Sequence, residues 1–293
     1  MMKKLIATGL SFLLVLPAVA EDVDKTLEAA SDGHVDISNI AGAVTVTGWT
    51  RNQVEVTGTL GRNVEELIFE RDGDKITVKV KVPRRGGGGI DSDLHINVPQ
   101  QSSIDVSGVS ADIDVTEVRG EQRLHTVSGD ISTESTGSDV TAESVSGDVE
   151  IEGDKSATET TASTVSGDLT LFRVSGTVSA ESVTGKIIID EGSFSRVDLT
   201  VVNGELAFRA GLEKGGKLSA ETVNGAVDVE FVGDLSAKID VGTVNGRIRN
   251  CFGPEAERTS KYAPGWSLQF TEGDGDGRVD ISTVNGGVNL CRK

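Results

Sequence analysis

A tripeptide of Val, a small polar residue and Gly recurs in phase eight times between residues 127 and 286. The first seven glycines are 18 to 21 residues apart, and the last interval is 40 residues, close to two periods. The repeats end at Gly129, Gly147, Gly167, Gly185, Gly204, Gly225, Gly246 and Gly286. A repeat of this length that keeps its phase is typical of stacked, solenoid-like proteins.

Each repeat predicts two short strands, one before and one after a corner at the glycine. The second residue after the glycine is apolar in every repeat, and so is the fifth residue before it, while the residues between are mostly polar. Such alternation is typical of β-strands with one buried face. Gly suits a tight corner because it permits a positive φ or a close approach of the backbone.

These features predict an all-β fold. Val, Thr, Ser and Gly are abundant, helix formers are sparse, and aromatic residues make up only 4% of the chain. We expect a single-stranded parallel β-solenoid, a β-helix with two strands per coil of about 18–21 residues. We expect it to be right-handed, which is the usual sense of parallel crossovers.

The residue before each corner glycine is a hydroxyl residue in the first four repeats and Asn in the last four. Stacked coils would bring these side chains into a ladder, in which they can hydrogen-bond the corner backbone or, for Asn, the same amide one coil away. The ladder consists of Ser128, Ser146, Ser166, Thr184, Asn203, Asn224, Asn245 and Asn285.

The first twenty residues predict a secretory signal peptide. Lys3 and Lys4 precede an apolar run from Leu5 to Leu16, and Ala18-Val19-Ala20 supplies small residues for cleavage. The apolar run is too short to span a bilayer. Cleavage after Ala20 would remove two lysines and take the net charge from −18 to −20. We therefore expect export to the periplasm, with the cell surface or secretion as alternatives, and no nucleic-acid partner.

We expect residues 21–293 to form a single elongated domain. Residues 21–103 would form less regular coils and a hairpin cap, residues 104–250 the regular coils, residues 251–277 an insertion, and residues 278–293 the last coil. His34–Val46 resembles a further coil, Leu67–Val82 reads as a hairpin, and Val106-Ser107-Gly108 reads as a degenerate corner.

The two cysteines of the chain support this register. Cys251 and Cys291 both lie five residues after a corner glycine. Stacking would make these positions neighbours on adjacent coils, within the Cα separation that a disulfide tolerates, and export permits oxidation. We therefore predict a Cys251–Cys291 disulfide at the open C-terminal end of the stack.

The insertion gathers aromatic residues, among them Tyr262, Trp266 and Phe270. It reads either as a cap over the last coil, which we favour because stacked repeats need shielded ends, or as a ligand platform. The acidic segment Glu272–Gly277 lacks the rest of an EF-hand loop and predicts a turn.

No recognisable catalytic or cofactor motif appears in the sequence, and the three histidines are dispersed. The candidate site is acidic: Asp130, Asp148 and Asp168 directly follow the corner glycine in three successive repeats. Stacking would place their carboxylates about 5 Å apart. They form either a solvated edge in which Asp suits the turn, or a row bridged by calcium, the only cofactor that the sequence brings into consideration.

Three segments together resemble a known family. They are Ile37–Gly42, His95–Pro99 and the run of Val-Ser-Gly-Asp and Val-Asn-Gly corners. Over nearly all of the mature chain these look like the bacterial putative-adhesin family of β-strand-repeat proteins, a domain of unknown function. The resemblance implies a β-solenoid in the cell envelope and no catalytic residues.

The sequence thus favours an exported, non-enzymatic envelope protein, an adhesin or binding scaffold with an unidentified envelope or surface ligand. Two alternatives stay open: a polysaccharide-acting β-helix enzyme that uses the aspartate row, and an accessory protein of the envelope-stress response. A flat-faced ice-binding solenoid is a third, hinted at by Thr141 and Thr161, although Ser179, Asp198 and Asp240 interrupt that row.

Overall fold

The computed structural model describes residues 21–84, 88–260 and 264–293. The predicted signal peptide and Tyr262 lie outside these residues. The described chain is all β, with 23 strands and no helix. Accordingly, it contains no helix long and apolar enough to cross a membrane.

The strands fall into three groups along the chain. The N-terminal strands are β1 (Glu21–Glu28), β2 (His34–Trp49), β3 (Gln53–Leu60), β4 (Glu66–Asp72), β5 (Lys75–Lys81), β6 (Ser92–Pro99) and β7 (Ser103–Thr116). The central strands are β8 (Gln122–Ser128), β9 (Ile131–Ser135), β10 (Val140–Ser146), β11 (Val149–Gly153), β12 (Ala157–Ser166), β13 (Leu169–Phe172), β14 (Ser175–Thr184), β15 (Ile187–Asn203) and β16 (Leu206–Asn224). The C-terminal strands are β17 (Val227–Phe231), β18 (Ala237–Asn245), β19 (Ile248–Asn250), β20 (Glu257–Arg258), β21 (Trp266–Glu272), β22 (Gly277–Asn285) and β23 (Val288–Arg292).

The central strands stack in parallel and in the register that the repeat predicts. Ala142 of β10 pairs with Leu124 of β8 on one side and with Ala162 of β12 on the other. After the corner, Val149 of β11 pairs in the same way with Ile131 and Leu169. Equivalent residues of successive coils therefore stack in rows, because each coil keeps the phase of its neighbour.

The C-terminal coils stack out of chain order. β22 lies between β16 and β18, parallel to both, and β23 lies between β17 and β19. The last coil of the sequence is therefore the second-to-last of the stack, and the β18–β19 coil lies outside it. We expected the last coil at the open end, and this expectation is wrong. It followed chain order, whereas the 40-residue gap lets the chain skip one position and fill it later.

The insertion covers the outer edge of this end. β21 pairs antiparallel with β18 from Ala237 to Thr243, and β20 pairs with β21. The chain then crosses the start of β18 to enter β22, with positive φ at Gly273 and Gly275. The insertion thus supplies the edge strand that shields the last parallel coil.

The N-terminal end repeats this arrangement. β2 lies between β7 on one side and β5 and β6 on the other, all parallel. Antiparallel partners lie outside them: β4 against β5, and β3 against β6, with β1 against β3. The sheet is therefore mixed, which corrects the expectation of a purely parallel β-solenoid. The antiparallel β4–β5 pair is the hairpin expected over Leu67–Val82.

The first regular corner lies three residues later than predicted. Gly42 and Ala111 are register partners, and the backbone of Gly129 packs on the Ala111 carbonyl. The tripeptide at Val106–Gly108 therefore forms ordinary strand, and Val109-Ser110-Ala111 forms the corner. The interval of 18 residues back from Gly129 indicates this position, whereas the tripeptide alone does not.

One continuous core fills the space inside the coils. Val, Ile, Leu and Ala predominate, and the largest buried side chains are Phe194, Phe208 and Phe231. Their rings pack in a row, with centroids 5.8 Å and 5.9 Å apart. Inward positions of every coil are thus committed to packing, and only outward positions remain for binding.

Candidate binding surface

Glycine is required at the corners because the backbones of neighbouring coils approach each other closely there. A Cβ at Gly167 would lie 2.1 Å from the Gly147 carbonyl oxygen, and a Cβ at Gly147 would lie 2.0 Å from that of Gly129. Among the eight corners, only Gly185 has a positive φ. Each coil therefore rests its corner directly on the carbonyl of the coil before it, which a side chain would prevent.

Buried hydroxyls three residues before the glycine satisfy these carbonyls. Thr164 Oγ1 donates to the Gly147 carbonyl and Ser144 Oγ to that of Gly129, each at 3.1 Å. Thr126, Ser182, Thr243 and Thr283 repeat the contact on their own neighbours. The sequence predicts this side-chain hydrogen bond for the residue directly before the glycine, whereas the structure shows it three residues before. In the sequence, the residues five and three positions before each glycine alternate with outward residues, and this alternation identifies the hydroxyl three positions before the glycine as the buried donor.

The aspartate row is engaged in building the same corner. Asp130 Oδ1 accepts a hydrogen bond from the backbone amide of Asp148 at 2.8 Å, and Asp148 Oδ1 accepts one from Asp168 at 2.8 Å. Asp168 Oδ1 accepts from the amide of Lys186 at 2.7 Å. Asp112, which the sequence interpretation missed, begins the row by accepting from Asp130 at 3.0 Å. Each carboxylate thus holds the next coil by its backbone.

No metal centre is evident in the parts of the chain that the structure describes. No group of three or more His, Cys, Asp or Glu side chains there has a metal-binding arrangement. His34 contacts Ser103 and His125 contacts Glu143, so these two histidines lie in separate surroundings.

The Asn half of the predicted ladder forms side-chain hydrogen bonds. Asn224 Nδ2 donates to Asn203 Oδ1 and Asn285 Nδ2 to Asn224 Oδ1, each at 2.8 Å, and Asn245 Nδ2 donates to Asn285 Oδ1 at 2.9 Å. The row follows stacking order, so Asn285 lies between Asn224 and Asn245. These amides are thereby partnered within the chain.

Cys251 and Cys291 form the predicted disulfide, with Cα atoms 4.8 Å apart. The bond joins the β22–β23 coil to the segment that follows β19, on the outermost parallel coil. Phe252 packs on Phe270 of the insertion beside it, with ring centroids 5.7 Å apart. The disulfide therefore fastens the β22–β23 coil, which we call the intercalated coil because it lies between two others, to the outer β18–β19 coil.

A ridge of exposed valines runs along the stack two residues before the corner. It occupies nine successive coils, and we call it the valine ridge. Eight of its members are 40–54% exposed, and Val202 is half-buried. In stacking order the valine ridge consists of Val109, Val127, Val145, Val165, Val183, Val202, Val223, Val284 and Val244.

Other outward positions of the same strands vary freely. Two residues before each valine, successive coils carry Glu143, Ser163, Glu181, Thr200 and Glu221. Folding of the strands alone does not require Val outside, since Thr and other β-branched residues suit an exposed strand equally. The restriction to Val on a solvent-facing row therefore makes this row the candidate binding surface.

A cavity of about 700 Å³ lies at the turns of the coils opposite the Val-x-Gly corners. Four of its charged side chains form ion pairs: Lys155 Nζ lies 2.7 Å from Glu191, and Arg209 lies 3.8 Å from Asp190. The hydrogen bond from Lys155 lowers the pKa of Glu191. These four side chains are thus partnered within the chain, whereas the valines of the valine ridge face solvent.

The model of the Toastrack DUF4097 family matches residues 33–291. The chain has no match among curated proteins.

Several solved structures are similar to this chain at low identity. One is a putative adhesin from Parabacteroides distasonis, 12% identical, with 94% of this chain and 98% of that chain covered and a TM-score of 0.45. Another is a putative adhesin from Bacteroides fragilis, 10% identical, with 94% and 99% covered and a TM-score of 0.41. A third is a putative cell adhesion protein from Clostridium sporogenes, 11% identical, with 94% and 100% covered and a TM-score of 0.27.

Proposed function

The chain belongs to the Toastrack DUF4097 family, and we propose that it is an exported, non-enzymatic binding scaffold of the cell envelope, of the adhesin type. Its body is a right-handed, single-stranded β-solenoid, and residues 21–293 act as one elongated domain. Export is directed by residues 1–20, and the periplasm is the compartment reached first.

The valine ridge carries this proposal. The glycines, the buried hydroxyls and the Oδ1 atoms of the aspartates are each occupied in joining one coil to the next. Among the residues of the described coils, the valines alone repeat an apolar side chain on the solvent side. An extended apolar row on a soluble surface marks an interaction site.

No observation favours the enzymatic alternative. Acid–base hydrolysis of glycosides needs two carboxyl groups opposed across a cleft. The aspartates instead follow one another along a single edge, each bonded to the next amide.

The proposal is tested by binding of the purified mature chain to washed envelopes of the producing bacterium. A ridge variant, Val165→Asp with Val183→Asp, is compared with a control variant, Thr161→Asp with Ser179→Asp, four residues earlier on the same strands. We expect the ridge variant to lose binding and the control to retain it. Equal binding by both variants would remove the valine ridge from the function.

A further inference from the structure

Carboxylates border the first half of the valine ridge on both sides. Two residues before the valines, Glu143 and Glu181 point outward on alternate coils. Three residues after the valines, across the corner, Asp112, Asp130 and Asp148 follow one another on successive coils. We call these two rows the acidic borders. A partner of the ridge must therefore be apolar along its centre and complementary to negative charge on both flanks.

The acidic borders are not neutralised by the chain itself. Among the described residues, none of these five carboxylates forms an ion pair with Lys or Arg, and Glu143 meets the ring of His125 at 3.4 Å. Cations beside the borders are paired elsewhere, Arg123 with Glu121 and Lys186 with Glu205. Several other carboxylates of the coils have such partners, as in Glu152–Arg173, Asp198–Arg196 and Asp280–Arg278. Negative charge thus remains for a cationic partner to meet.

The backbone around the ridge excludes a partner that binds as an added strand. β10 pairs with β8 and β12, and β12 pairs with β14, so the valines lie on the face of a continuous sheet. Strand addition requires a free edge with unpaired backbone groups. A helix satisfies its own backbone hydrogen bonds and makes contact through its side chains alone. The face therefore suits a helix.

We propose that the partner of the valine ridge is a basic amphipathic helix of another envelope protein. Its apolar stripe covers the four coils from Val127 to Val183, whose valines are 40–45% exposed, and Lys or Arg on its two flanks meets the acidic borders. This inference rests on the proposed function, since it names the partner of the same surface.

The repeat of the stack limits the length of this helix. A helix advances about 5.4 Å per turn, whereas the coils advance about 4.8 Å. One stripe residue per turn therefore stays beside one valine for three or four turns, over which the mismatch grows to about 2 Å. A longer helix loses this register. The partner segment consequently needs about 11–14 residues, and the acidic borders extend over a similar number of coils.

Charge also sets the sign of the salt dependence. The mature chain carries about 20 net negative charges, so an anionic lipid surface repels it, and a second copy would bring acidic borders together. Salt screens the attraction between the borders and a basic helix, while burial of valine does not weaken with salt. We expect binding to weaken as sodium chloride rises from low to physiological concentration.

Binding to washed envelopes tests the charge of the native partner. Glu143→Gln with Glu181→Gln removes two border charges and leaves every valine in place. Its control, Glu159→Gln with Glu213→Gln, removes the same charge six residues before Val165 and ten before Val223. We expect the border variant to bind about tenfold more weakly and the control to bind as the parent does. Equal binding by the border variant and the parent overturns the inference.

A synthetic peptide tests the shape of the partner. The probe is a three-turn peptide with leucine once per turn on one face and lysine on both flanks, and its control has the same composition in an order that breaks the stripe. We expect the probe to gain helical circular dichroism on binding the parent chain and the control peptide to bind at least about tenfold more weakly. The Val145→Thr, Val165→Thr, Val183→Thr variant should lose the probe. Equal binding of both peptides, or binding without a gain in helix, overturns the inference.

Failure of this inference is separable from failure of the proposed function. If the Val165→Asp, Val183→Asp variant loses envelope binding while the border variant binds as the parent does, the inference falls and the proposed function stands. If the Val165→Asp, Val183→Asp variant binds envelopes as well as the parent does, both fall.

Discussion

Asp148 Oδ1 accepts a hydrogen bond of 2.8 Å from the backbone amide of Asp168, twenty residues later and one coil further along the stack. The same contact joins Asp112 to Asp130, Asp130 to Asp148 and Asp168 to Lys186. An acidic row that resembled a cation site in the sequence thus acts as a series of backbone acceptors. Side chains that had looked available for chemistry are therefore part of the corner.

Removing one acceptor from this row should cost a modest amount of stability. We expect Asp148→Ala to lower the free energy of unfolding by about 1 kcal/mol, because the Asp168 amide loses its protein partner at a solvent-exposed site. Asp148→Asn keeps an acceptor oxygen and should stay close to the parent. Urea unfolding followed by circular dichroism measures both. Glu150→Ala, an exposed carboxylate two residues further along, serves as the control, and equal losses in all three variants would contradict the assignment.

Calcium should have little effect on the same row. Because one oxygen of each aspartate is engaged with an amide, we expect the thermal midpoint to be the same in millimolar calcium and in chelator. Differential scanning calorimetry makes the comparison directly. A calcium-dependent rise that Asp148→Asn abolishes would restore the cation-bridged alternative.

The corner glycines should be far more sensitive than glycines elsewhere. Gly167→Ala places a Cβ 2.1 Å from the Gly147 carbonyl oxygen. We expect a loss of about 3 kcal/mol in the free energy of unfolding, because rigid backbone must separate to admit the methyl group. Gly242→Ala is the matched control in β18, where a Cβ would meet nothing within 4 Å. Tolerance of Gly167→Ala at the level of Gly242→Ala would be incompatible with close corner packing.

The disulfide should stabilise the intercalated coil. Cys251 and Cys291 are 40 residues apart, and a cross-link of that span contributes about 4 kcal/mol on the loop-entropy estimate. We expect Cys251→Ser, Cys291→Ser and the double variant to be equally destabilised, since each lacks the same bond. Urea unfolding in the absence of reductant measures the loss. A double variant as stable as the oxidised parent would show that the β22–β23 coil needs no fastening.

The regular part of the fold could be predicted because its information is local. Each Val-x-Gly corner fixes the phase of the strands on both sides, and equal phase forces Ala142 to stack between Leu124 and Ala162. The same phase placed Cys251 beside Cys291. Period and alternation sufficed for these features because neighbouring coils are also neighbours in sequence.

The ends of the stack could not be predicted in this way. The pairing of β22 with both β16 and β18, and of β2 with both β7 and the β5–β6 pair, joins coils out of chain order. No local pattern distinguishes a coil that continues the stack from one that fills a position left open. The physical cause is the long connection at each end of the stack, which lets the chain return to a position beside an earlier coil.

The valine ridge escaped sequence interpretation for a different reason. Val145 was read as part of a corner motif, although the buried positions at Ala142 and Ser144 place it on the outward phase. An apolar residue repeated on an outward phase was the available signal. The signal can be recognised because the contacts of the neighbouring glycines, hydroxyls and aspartates account for those residues and leave the valines without a role in the stack.

The valines of the valine ridge are proposed to bind a partner and not to build the stack. Thr resembles Val in shape and β-propensity but carries a hydroxyl, so at these exposed strand positions Val145→Thr, Val165→Thr and Val183→Thr together should leave the fold intact while making the ridge polar. The deciding measurement is binding of this triple variant to envelopes of the producing bacterium, with its unfolding midpoint recorded on the same sample. We expect an unchanged midpoint and lost binding; full binding at an unchanged midpoint would show that the valines do not bind the partner.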